Sequence, residues 1–153
     1  MPYTTAEGRQ QLLDALARAT GEIGVALAAL GEAYELLDEQ TADRLEQELF
    51  RPVQAAYGRA QRTYTGFASR HDLPTRTFEP VASRGAPSTG VRGFIDSATE
   101  AAAAADGELA ALQDSMLPVE VGDAELRAGL QEVRELIGEL RTRARELVRT
   151  LGR

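Results

Sequence analysis

The chain has 153 residues, 43% of them apolar and 27% charged, with a net charge of −7 and no Cys. That length and apolar fraction suit one folded domain spanning 1–153 and exclude a disordered chain. The lack of Cys excludes a disulfide scaffold, a Cys-ligated zinc, an iron–sulfur cluster and a thiol nucleophile, and a single His (His71) excludes sites built from several histidines.

The first heptad pattern is Leu13, Leu16, Thr20, Ile23, Leu27, Leu30, Tyr34 and Leu37, with steps alternating between three and four. Such spacing lines one helical stripe and predicts a helix over about 4–38. Ala17, Gly24 and Gly31 fall on one flank of the stripe, and Ala19, Ala26 and Ala33 on the other. Each Gly costs about 1 kcal/mol relative to Ala inside a helix. Small residues on both flanks predict close approach of a neighbouring helix; the alternative is room for a ligand.

Asp38 to Thr41 reads as a short turn. Leu45, Leu49, Val53, Ala56, Ala60, Tyr64 and Phe67 form the next stripe, predicting a helix over about 42–70. Pro52 has no backbone donor and presses on the preceding turn, so a kink is expected there. Residues 71–90 contain Pro74, Pro80, Gly85, Pro87 and Gly90 and read as a loop longer than usual, which suggests function or mobility.

Ile95, Ala98, Ala102, Ala105, Leu109, Leu112 and Met116 predict a helix over about 90–117, stopped by Pro118. Leu126, Leu130, Val133, Ile137, Leu140, Ala144, Leu147 and Leu151 predict the last helix over about 123–151, capped by Asp123. The expected fold is an all-α, antiparallel (up-down-up-down) four-helix bundle. The reach of the long loop also allows a crossover that would change the hairpin order.

Charge is segmented. Residues 1–50 hold three Arg and ten acids, 51–94 seven Arg and two acids, 95–122 six acids and no Arg, and 123–153 seven Arg and six acids. Folded up-down-up-down, acids would crowd the end holding the short turns. Arg70, Arg76, Arg84, Arg92, Arg145, Arg149 and Arg153 would gather at the loop end. Asp106 should fall opposite Arg134.

The loop segment Gly85-Ala-Pro-Ser-Thr-Gly90-Val-Arg92 lacks the Lys, the hydroxyl and the preceding strand of a P-loop. A weaker site survives. Ser88 or Thr89 can cap the third helix, whose N-terminus favours an anion. Arg76, Arg84, Ser88, Thr89 and Arg92 are therefore the candidate site for a small phosphate or carboxylate. A second candidate is a cavity in the Ala-rich half of the core, with Thr20 and Tyr64 as its polar members.

Other chemistries find less. His71 has no Glu three residues before it, as a ferritin-like site requires. Glu32 and Glu35 have the Glu-x-x-Glu spacing that can hold Mg²⁺ in an all-α phosphohydrolase, yet the seam residues turn Glu32 outward. Ser69, His71 and Asp72 are neighbours at a helix end, which is poor evidence for a triad. Arg141, Arg145 and Arg149 make an i, i+4 ridge, which also complements a helix C-terminus. With a net charge of −7, nucleic-acid binding is not expected.

No apolar run exceeds the six residues Val25–Leu30, against the roughly 20 a membrane span needs, and Met1–Gln11 has no apolar targeting core. The expectation is a cytoplasmic protein without membrane contact. Lys and Asn are absent, and their codons are AT-rich, which fits a GC-rich bacterial genome. The leading expectation is a non-catalytic interaction or scaffold module that needs no cofactor or metal and partners another protein or itself. The alternatives are a small-anion binding protein at the loop end and a Mg²⁺-dependent phosphohydrolase.

Overall fold

A computed structural model describes residues 5–79, 82, 90–121 and 123–151. Among them the secondary structure is all helical, and no helix is long and apolar enough to cross a membrane. The elements are α1 (Thr5–Glu35), α2 (Glu39–Leu45), a π turn (Glu46–Phe50), α3 (Arg51–Arg70), α4 (Gly90–Asp114), α5 (Leu117–Val121), α6 (Ala124–Ile137) and α7 (Leu140–Leu151).

Local chemistry sets these boundaries. Asp38 caps α2, its carboxylate accepting the Thr41 N–H at 3.0 Å. At Pro52 the helix widens. The Arg51 N–H bonds the Glu46 carbonyl five residues back, so the π turn takes up the disruption that an interior proline causes. The helix continues from α2 through this turn into α3.

The third helix ends at Asp114, earlier than expected. Met116 sits at φ 67°, and Pro118 lies in the first turn of α5 rather than stopping α4. Asp123 caps α6 as expected, accepting the Leu126 N–H at 2.8 Å. The expected last helix is interrupted at Gly138 and Glu139 into α6 and α7, yet its buried stripe continues through Leu140, Ala144 and Leu147.

The stripes are buried as the periodicity requires. All seven residues of the α2–α3 stripe are in the core. On α1 the flanking Ala19, Ala26 and Ala33 are also fully buried, which widens the apolar face. Tyr34 and Met116 are exceptions at 37% and 52% exposure, because each lies at or past the end of its helix. Val25, set beside the seam by its spacing, is buried.

The helices do not run up-down-up-down. Arg59 pairs with Glu132 and Arg70 with Asp123, so α3 and α6 are antiparallel. Asp106 meets Arg134, as its register predicted, while Ile95 and Asp96 share a cleft with Val148 and Arg149. The fourth helical stretch is therefore antiparallel to α4 as well. It follows that α3 and α4 point the same way. The packed partners are α1 with α4, α1 with α3, α3 with α6, and α4 with α6 and α7.

A chain leaving α3 must then travel back along it to begin α4. A Schellman turn starts the return, with the Leu73 N–H bonding the Ala68 carbonyl at 2.8 Å and Asp72 at φ 56°. Phe78 then packs edge-on against Tyr64, with ring centroids 5.3 Å apart. Burial raises the Tyr57 phenol pKa, and the charge of Glu79 adds to it. The described start of the long loop, 71–79, thus runs back along α3.

This overturns the expected polarity. The turn between α1 and α2 and the connection between α4 and α6 lie at opposite ends, so acids do not collect at one tip. A further consequence concerns the Ala-rich half of the core. Ala19, Ala26, Ala29 and Ala33 on α1 and Ala98, Ala101, Ala102 and Ala105 on α4 are all buried, and these two helices form the most extensive contact. Small side chains allow the close approach that fills a thin seam.

Candidate functional site

The most organised polar cluster surrounds Asp123. Its side chain is 5% exposed and accepts four hydrogen bonds. Arg70 donates Nε at 2.9 Å and Nη2 at 2.7 Å, the Leu126 N–H is at 2.8 Å, and His71 Nε2 lies at 2.9 Å. Burial alone pushes this carboxyl up, but the Arg70 pair, the Leu126 N–H and His71 hold it down at about 2. Arg70 is raised in turn, chiefly by its bond to Asp123, and also binds Glu125 at 2.7 Å. His71 stacks on Phe67, with ring centroids 4.4 Å apart. Every strong acceptor direction of Asp123 is engaged, so the cluster clasps the end of α3 to the start of α6.

Only two members of the sequence-derived anion site, Arg76 and Arg92, fall among the described residues. Arg84, Ser88 and Thr89 lie outside them. Arg76 is exposed with its guanidinium 4.9 Å from the Phe78 ring centroid, and Arg92 is exposed in the first turn of α4.

The predicted polar members of a core cavity, Thr20 and Tyr64, are both buried. Thr20 is fully buried and donates to the Leu16 carbonyl at 2.7 Å, so its hydroxyl is satisfied within its own helix. Tyr64 is buried against Phe78. Neither residue lines the two clefts described below.

Glu32 and Glu35 are exposed, and among the described residues no three acidic or His side chains converge as a metal site would require. The geometric condition of the phosphohydrolase alternative is therefore not met there.

Open space lies instead between α4 and α7. A cleft of about 360 Å³ is lined by Ile95, Asp96, Thr99, Arg141, Ala144, Arg145, Val148 and Arg149. A second, of about 310 Å³, shares Thr99 and Arg141 and continues toward Asp106 and Gly138. The floor is apolar, from Ile95, Ala144 and Val148. The rim carries the arginine ridge seen in the sequence. Arg141, Arg145 and Arg149 are exposed and pair with no acid among the described residues, whereas Arg18, Arg44, Arg51, Arg59, Arg70, Arg134 and Arg143 all do.

The i, i+4 spacing of the ridge is visible in sequence. Its apolar floor is not, because Ile95 and Val148 meet only once α4 and α7 pack. Asp96 stands in the same cleft, so the rim is cationic by two charges rather than three.

Compared with protein-family models, with curated proteins and with solved structures, the chain matches none. What is defined, among the described residues, is an all-helical protein with an arginine-edged surface groove.

Proposed function

We propose that this chain is a non-catalytic interaction module, a four-helix bundle with one long crossover connection, that docks an acidic protein segment in the groove between α4 and α7. On this reading it acts in the bacterial cytoplasm, as its Arg-only basic composition and lack of apolar runs suggest. One observation carries the reading. Arg141, Arg145 and Arg149 stand in a row over an apolar floor and pair with no acid among the described residues, whereas seven other arginines are held in ion pairs. Guanidiniums suit carboxylates through bidentate contacts, and the floor takes apolar side chains of the same segment. An amphipathic helix with Leu on one face and Glu beside it fits both features.

The test is fluorescence anisotropy with a labelled synthetic helix of that pattern. Binding should weaken with salt and fall at least about tenfold in an Arg141→Glu, Arg145→Glu double variant, a change of about 1.4 kcal/mol. Equal binding by the variant, or by a control helix with Lys replacing Glu, overturns the reading.

A further inference from the structure

We infer that the groove between α4 and α7 receives the end of α1 from a second copy of this chain, an inference that rests on the docking reading above. The last turn of α1 is the complement of the groove. Tyr34 in that turn and Leu36 just past it stand 37% and 54% exposed, two of the four large apolar side chains that are exposed among the described residues. Glu32, Glu35 and Asp38 surround them and are also exposed. The molecule therefore carries an apolar knob rimmed with acid and an apolar groove rimmed with arginine. Charge complementarity of this kind selects and orients a partner.

Position supports reciprocity. The π turn that follows α2 touches α7, α1 ends where α2 begins, and α4 starts at that same end. Knob and groove thus share one end of the molecule. A two-fold axis near that end would seat each knob in the other copy's groove, giving a closed, self-complementary pair. Asp96 in the groove opposes the incoming acids, which places the favourable contacts toward Arg145 and Arg149.

The experiment is sedimentation velocity of the full chain over a concentration series. The wild type should form a dimer at low salt whose dissociation constant rises at least about tenfold near 1 M salt, where the Debye length is about 3 Å. Arg145→Glu and Glu35→Arg should each be monomeric over the same range, with unchanged far-UV circular dichroism because both positions are exposed. An equimolar mixture of the two variants should recover the dimer, because every knob–groove contact between unlike chains again joins opposite charges. A wild type that stays monomeric, a dimer indifferent to both reversals, or a mixture that stays monomeric overturns the inference. If the monomer still binds the acidic helix through its arginines, the docking reading survives and the occupant is another protein. If it does not, both fall.

Discussion

Replacing Asp123 by Asn removes the charge while keeping the shape and much of the capping ability, since Asn caps helices as well as Asp. The carboxyl is held at about 2, below its ordinary 3.8, so ionised Asp123 favours the folded chain by about 2–3 kcal/mol at neutral pH. With a folded pKa lower than the unfolded one, this contribution is complete above 3.8 and is lost as pH falls through about 2. Urea unfolding followed at 222 nm should therefore show the variant about 2–3 kcal/mol less stable at pH 7. The gap should narrow below pH 4 and close near pH 2, where the protonated acid resembles the amide. A gap that stays constant with pH would show that the loss is steric, and the electrostatic account of the clasp would fail.

Other outcomes follow from the glycines. A Cβ on Gly129 would lie 2.8 Å from Thr63 Cγ2 and 3.1 Å from its Cβ. Thr63 is fixed by its bond to the Arg59 carbonyl, so Gly129→Ala should cost about 1–3 kcal/mol despite the better helix propensity of Ala. Adding Thr63→Ala should recover part of that loss in a double-mutant cycle of urea midpoints, and strict additivity would contradict the contact. Gly31 meets nothing within 4 Å, so Gly31→Ala should stabilise by about 0.5–1 kcal/mol in thermal unfolding. Gly24→Ala should gain less or nothing, because its Cβ would press on the Tyr57 ring at 3.1 Å.

The helices and their buried faces were legible because a heptad stripe marks burial without reference to a partner. Direction was not. Leu109 and Leu112 bury equally well whether α4 runs with α3 or against it, so the pattern leaves the crossover open. It is written instead in particular contacts, the Schellman turn at Asp72 and the seating of Phe78 on Tyr64, which depend on a return path.

The same limit applies to the sites. Asp123 was readable as a cap, but its pairing with Arg70 spans 53 residues and needs the α3–α6 contact. The ridge Arg141, Arg145 and Arg149 was readable as spacing, and its role as the rim of a groove required Ile95 from another helix. Thr20 drew notice as a polar core residue. Its bond to Leu16 inside the same helix shows why a buried hydroxyl need not mark a cavity.

The docking claim is tested most directly by titrating the isotope-labelled chain with the acidic amphipathic helix and mapping amide chemical-shift changes. The account predicts the largest changes at Ile95, Asp96, Thr99, Arg145 and Val148, and none at Arg76 or Arg92. Changes centred on Arg76 and Arg92, or no change at the groove, would contradict it.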